Sequence, residues 1–384
     1  MKLTRLFRDF FQNEKTAGII LIICTIVSLV LSNCGIADEY PHFWHSALAG
    51  QTIEYWINDG LMTIFFLLIG LELEREIYQG ELSNVKDAML PIFGAIGGMI
   101  IPAGIFLIFN FGTTTQSGAG IPMATDIAFA LAILALLGNR VPTSLKIFLT
   151  ALAVIDDLGA ILVIAFFYTK TIAFTNLLLS LGIFGVLLIF NRLKVRNLFP
   201  YLIGGFAMWF FMLHSGVHAT ITGVLLAFAI PFGNGDEKST SFILQHFLHK
   251  PVSFIILPLF ALANTAIVLS SDIGAVLTEH YSIGIALGLI VGKPLGIFLL
   301  TYLAASLGIC KLPEDLSWKS IAGVGFLGGI GFTMSIFITL LAFSDATIIS
   351  NAKFIILISS FVAGLIGFGF LKLVLTKEII ETDE

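Results

Sequence analysis

Apolar runs long enough to cross a bilayer recur along the whole chain. A spanning helix needs about 20 predominantly apolar residues. Twelve segments meet that window, centred near residues 25, 64, 98, 130, 156, 182, 206, 224, 262, 294, 332 and 363. Only 12% of residues are charged and 57% are hydrophobic, so about half the charge that solvates an ordinary soluble domain is missing. The reading is an all-α polytopic membrane protein, with residues 1–384 as one integral membrane domain. Between the segments near 206 and 224 only His214 to Gly216 intervene.

Basic residues test the count, because loops on the cytoplasmic side are enriched in Lys and Arg. Of the 20 Lys and Arg, seventeen fall at the termini and in one alternate set of loops. Two, Lys170 and Lys353, fall in the other, and Lys293 lies inside a span. A wrong span count would scramble this asymmetry, so it supports twelve spans with both termini cytoplasmic. The first apolar run follows Lys2, Arg5, Arg8 and Lys15, a flank that also suits a signal peptide; the many spans that follow favour an uncleaved first helix. The net charge of −5, with no large basic cluster, argues against nucleic acid as a partner. Cys24, Cys34 and Cys310 form no CxxC and read as unpaired thiols.

Two spans are rich in helix-weakening residues. One runs from Gly118 through Pro122 to Asp126; the other carries Gly323, Gly325, Gly328, Gly329 and Gly331 before Thr333 and Ser335. Non-helical backbone at membrane depth survives only where it lines a cavity or is buried in protein. A matched pair of interrupted segments points to a transporter site, although small residues also serve close helix packing. The fourth and eleventh spans would correspond within repeats of spans 3–5 and 10–12, about residues 88–168 and 281–375. Units starting at an odd and an even span must be inverted.

Insertion scales charge each Asp, Lys or Arg at a helix centre about 2.5–3.5 kcal/mol. Asp126, Asp156, Asp157 and Lys293 would together cost roughly 10–14 kcal/mol facing lipid, so they should face a bundle interior or water. Asp156 and Asp157 project about 100° apart on a helix and can border one cavity. Such a pair can hold protons at one pH and a hard cation at a higher one. A purely structural pairing with Lys293 is the bland alternative, disfavoured because one lysine cannot neutralise three acids. Asp126 would offset the positive N-terminal ends of half-helices, and the Thr125 hydroxyl could ligate a cation. Lys293 could offset carbonyl ends, pair with Asp156, or carry a proton.

Other polar residues are weaker candidates. His214 and His218 have the i, i+4 spacing of helical metal ligands but no evident third ligand, so a structural role is expected. His246 and His249 are expected in the loop between the eighth and ninth segments, where histidine titrates near neutral pH. Asp59 opens the second span as a helix-end acid, and Glu72, Glu74, Arg75 and Glu76 lie at its cytoplasmic end.

No Walker A, HExxH or Gly-x-Ser-x-Gly segment is present, and the one Gly-x-Gly-Asp, Gly233 to Asp236, falls between apolar segments rather than within one, so neither a nucleotide-driven pump nor an intramembrane enzyme is indicated. The leading reading is a secondary transporter exchanging a monovalent cation for protons. A sodium-coupled symporter of an organic anion is the alternative, but no arginine falls within a span to recognise one.

Five motifs then make a specific match: Ala124 to Ala130, Ile155 to Gly159, Ser215 to Thr220, Gly292 to Gly296 and Gly329 to Ser335. In order and spread they resemble the NhaA family of bacterial Na+/H+ antiporters. The resemblance implies a bacterial inner-membrane protein of twelve helices, with the fourth and eleventh unwound and crossing. It implies a Na+ or Li+ site at Asp156 and Asp157, balanced by Asp126 and Lys293. Exchange would be electrogenic, free of any cofactor and switched on at alkaline pH. A homodimer through a hairpin around Asp38 to Tyr55 is also implied, although no clear turn signal is visible there. The family's pH-sensing segment reads Glu-His-x-x-His, whereas this chain has Gln245 before His246 and His249. Together with Glu72 and Glu76 these are the candidate pH-sensing residues, and Gln245 is expected to shift or weaken that response. Glu74 stands where a basic residue is common.

Overall fold

The structure is a computed structural model describing residues 2–34, 39–169, 172–268 and 272–382. Asp38, Lys170 and the side chains of Lys2, Arg5 and Arg8 lie outside the described residues. Among the described residues nine helices are long and apolar enough to cross a membrane: Lys15–Asn33, Ile53–Tyr78, Ala88–Asn110, Gln116–Leu136, Thr143–Phe167, Phe174–Arg192, Thr240–Asn264, His280–Ser306 and Ala346–Leu375. A tenth is the pair Trp318–Gly328 and Phe332–Ala342, bent by 47°. The two other expected segments are also helical but shorter, Phe199–Leu213 with 15 residues and Ile221–Ala229 with 9. The turn between them runs from His214 to Thr220 with Gly216 at φ 86°. The second stops at Ile230, which is extended, the conformation favoured before a proline.

Large apolar side chains are exposed along many of these helices, among them Ile108, Phe166, Phe167, Leu178 and Phe206. Soluble proteins rarely expose contiguous apolar surface on that scale, and lipid is the medium that tolerates it. The chain is a multi-pass membrane protein.

It divides into two compact units. The first comprises residues 1–41, 84–160 and 264–384. There the helices Val85–Asn110 and His280–Ser306 meet backbone to backbone. A Cβ added at Gly97 would collide with the Gly296 carbonyl, and one at Gly296 with the Gly97 carbonyl. Without a hydrophobic drive between helices in lipid, such close approach of small residues supplies the packing. Gly18 likewise lets Lys2–Asn33 settle on Ala132 of the helix Ile127–Leu136.

The second unit comprises residues 42–83 and 161–263. Here a Cβ at Gly223 would strike the Thr63 carbonyl, and Gly70 leaves room for Ala227. This unit also holds the one departure from an all-helical chain among the described residues. Ala47–Leu48 pairs antiparallel with Gln51–Thr52. The turn is Ala49 and Gly50, both at positive φ (52° and 87°), as tight hairpins require. Ala-Gly carries none of the Asn or Asp that usually marks such a turn, hence the missing sequence signal.

Lys353 departs from expectation. Asp345 caps the amides of Thr347 and Ile348 at 2.8 and 3.0 Å, so the last helix, Ala346–Thr382, begins early enough to include it. Lys353 is buried and its Nζ donates to Asn264 Oδ1 at 3.2 Å. Lys293 is therefore not the sole cation inside a candidate span.

Candidate functional site

The site lies in the first unit, at two breaks in helix. The segment Gln116–Met123 is a 3₁₀ helix, residues 124–126 are extended, and an α-helix resumes at Ile127–Leu136. Pro122 and the flanking glycines make continuous α-helix costly there. In the other span, Trp318–Gly328 stops at residues 329–331 and Phe332–Ala342 follows. Both interruptions fall where Gly and Pro placed them.

The breaks meet and satisfy each other's backbone. Asp126 N donates to the Ile330 carbonyl at 2.6 Å. Thr125 Oγ1 donates toward the Gly328 carbonyl at 2.9 Å, and Ser335 Oγ to the Ile121 carbonyl at 2.7 Å. Asp126 spans both N-terminal half-helix ends. Its Oδ1 accepts from Phe129 N at 3.0 Å, and its Oδ2 from Thr333 N and Thr333 Oγ1 at 3.1 and 2.5 Å. Orphan N–H groups and a positive dipole end each favour a carboxylate at that place. Phe332 N, next in line, donates to Ser360 Oγ of the last helix at 3.1 Å.

One of the opposite, C-terminal ends meets a cation. Lys293, wholly buried, donates to the Met123 carbonyl, the last of the 3₁₀ segment, and to Asp156 Oδ2 at 2.5 Å. Two roles left open by sequence, offsetting carbonyl ends and pairing with Asp156, are thus held by one ammonium. Asp156 Oδ2 also lies 2.7 Å from Thr125 Oγ1. Thr125 has one proton for two acceptors, Asp156 and Gly328. Asp157, one residue on in the helix Thr143–Phe167, is 2% exposed and within Coulombic range of Lys293. The structure so brings together Thr125, Asp126, Asp156, Asp157 and Lys293, all buried. Chemically this is an all-oxygen acid pair with one competing ammonium, a set suited to protons and hard cations.

Thr333, Ser335 and Ser360 were not singled out as site residues by sequence. Thr333 and Ser335 at least stand in the Gly329 to Ser335 motif; a serine in an apolar helix such as Ser360 carries no signal.

The remaining candidates lie in the second unit. Asp59 is in a π-helical turn, Trp56–Leu61, inside the span rather than at its mouth. His246 and His249 are in a helix, Thr240–Pro251, and not in a loop. Ser239 caps that helix at Phe242 N (3.4 Å), and Leu244 and Leu248 bury one face of it. It is the more polar first part of the candidate span Thr240–Asn264, so an apolar run centred near residue 262 leaves it out. His249 Nδ1 lies 3.9 Å from Glu72 Oε1, while His246 stacks on Phe242, over which the Arg75 guanidinium also sits. His214 ends its helix and bonds the Phe210 carbonyl at 2.8 Å. His218 lies beyond the turn and bonds the Tyr168 carbonyl at 3.1 Å. The pair therefore shares no helix face.

Known proteins match nearly the whole chain. The model of the Na+/H+ antiporter 1 family matches residues 8–371. A Na(+)/H(+) antiporter NhaA of Flavobacterium psychrophilum is 77% identical over 99% of both chains. An NhaA 1 of Flavobacterium johnsoniae is 62% identical, covering 98% of this chain and 99% of its own. One of Cytophaga hutchinsonii is 62% identical over 99% and 98%. The chain belongs to the Na+/H+ antiporter 1 family.

Proposed function

We propose that this protein is a secondary transporter that extrudes Na+, or Li+, in exchange for H+. The observation that carries the reading is the Lys293–Asp156 pair, buried beside Asp157 where two broken helices meet. Asp157 and Asp156 bind the transported cation and the protons; Asp126, Lys293 and Thr125 balance the charge of the breaks. A sodium ion and the Lys293 ammonium compete for Asp156 Oδ2. Loss of the lysine's proton, or its withdrawal, frees that oxygen for the ion.

Exchange is electrogenic on this account. A doubly ionised pair carries −2 and the ion +1, so more than one proton leaves per ion, and each unbalanced charge moves with about 2.3 kcal/mol per 100 mV. No cofactor takes part, and the chemistry is transport without turnover of a covalent bond. The ten long or bent spans together with Phe199–Leu213 and Ile221–Ala229 support twelve crossings of a bacterial inner membrane, both termini cytoplasmic. Residues 88–168 and 281–375 are then inverted repeats, each with its own break. His249 and Glu72, with His246, Gln245 and Glu76 nearby in sequence, set the pH dependence of activity, and the Ala47–Thr52 hairpin joins two copies in a homodimer.

The test is radiolabelled sodium efflux from proteoliposomes under an imposed pH gradient, without any organic solute. Efflux that follows the gradient is expected. Sodium movement that needs an organic anion would favour symport and overturn the reading.

A further inference from the structure

The half-helix Phe332–Ala342 starts at Gly331, which offers no side chain to cap its own helix. Its first two amides are instead capped by residues from two other helices. Thr333 N reaches Asp126 Oδ2, and Phe332 N reaches Ser360 Oγ, on the last helix and 4% exposed. The Phe332 ring meets the Phe129 ring edge-on at 5.7 Å, and Phe129 N is itself held by Asp126 Oδ1. A short closed circuit results, Ser360 to Phe332 to Phe129 to Asp126 and back to Thr333. A buried amide with no acceptor costs more than the bond is worth when made, so removing one hydroxyl shifts the circuit rather than deleting a neutral contact.

From this we infer that Ser360 is a positioning residue for cation exchange: it fixes the first turn of Phe332–Ala342, and through it the geometry of Asp126 and of the crossing whose Thr125 hydroxyl holds Asp156. No ion contact is assigned to it. The last helix, otherwise packing, thereby becomes part of the transport apparatus. The inference rests on the exchange reading above.

The experiment is Na+-induced collapse of a pH gradient in everted membrane vesicles, read as half-saturation and maximal rate at several pH values. Ser360→Ala is expected to raise the half-saturating Na+ concentration about three- to tenfold, the equivalent of one net hydrogen bond, and to move the pH profile. Ser360→Thr, which keeps the hydroxyl, is expected to restore both, and Ser359→Ala, one position away and also buried, to match wild type. Should Ser360→Ala fail to accumulate, Ser360→Cys, a weaker acceptor of similar size, is read in its place with the same expectation. A lowered maximal rate that scales with protein amount, at unchanged half-saturation and pH profile, would overturn the inference. Wild-type vesicles that show no Na+-induced proton movement would instead overturn the exchange reading itself.

Discussion

Lys293 Nζ and Asp156 Oδ2 lie 2.5 Å apart with neither side chain exposed to solvent. Removing one partner of a buried pair strands the other charge, a loss of about 3–5 kcal/mol, whereas removing both is far milder. Lys293→Met is therefore expected to lower the thermal midpoint in detergent by more than the double variant Lys293→Met/Asp156→Asn does. Thermal unfolding followed by intrinsic fluorescence checks this; a double variant less stable than the single one would contradict it.

The link between Asp126 and Thr333 makes a separate prediction. Thr333→Val keeps the side chain's volume and removes the hydroxyl that donates to Asp126 Oδ2 at 2.5 Å. A hydrogen bond to a charged group is worth about 1.5–3 kcal/mol. The variant should lose about that much stability and raise the half-saturating Na+ concentration, while Thr333→Ser should keep most of both.

Helix contact is tested at Gly97 and Gly296, each of which leaves no room for a Cβ against the other's carbonyl. Gly296→Ala should reduce folded protein in the membrane sharply, because backbone rather than a flexible side chain would have to move. Gly104, whose added Cβ would meet nothing within 4 Å, gives the control: Gly104→Ala should accumulate normally, as quantified by fluorescence-detected size exclusion.

His249 and Glu72 face each other at 3.9 Å, and Gln245 stands one helical turn before His249. Gln245→Glu adds a carboxylate to that neighbourhood. It is expected to move the pH midpoint of exchange by about one unit, the usual reach of a nearby charge, and to leave the maximal rate within about twofold. An unchanged midpoint alongside a lost maximal rate would remove these residues from pH control.

Much of the site was legible because charge is costly in lipid. Asp126, Asp156, Asp157 and Lys293 stood out as polar intrusions in apolar helices, and Pro122 and the Gly323 to Gly331 series marked where helix would fail. What stayed hidden has physical reasons. Ser360 and Thr333 act by hydrogen bonds to backbone that only the meeting of the breaks creates. The helix Thr240–Pro251 is the more polar first part of the span Thr240–Asn264, so the apolar run alone leaves His246 and His249 outside it. Lys353 sat too near the start of the last helix for hydropathy alone to place it inside, because the capping by Asp345 sets that start. Hydropathy placed Phe199–Leu213 and Ile221–Ala229 as apolar segments but not their shortness, because the turn from His214 to Thr220 is itself only weakly polar.

The central claim is that Asp156 and Asp157 bind what is transported. It is tested most directly by pH-gradient-driven radiolabelled sodium efflux from proteoliposomes holding wild type, Asp157→Asn or Asp59→Asn at equal protein density. The account predicts efflux from wild type and none above the protein-free background from Asp157→Asn. Asp59→Asn, in the other unit, should retain measurable efflux. Wild-type rates from Asp157→Asn would contradict it.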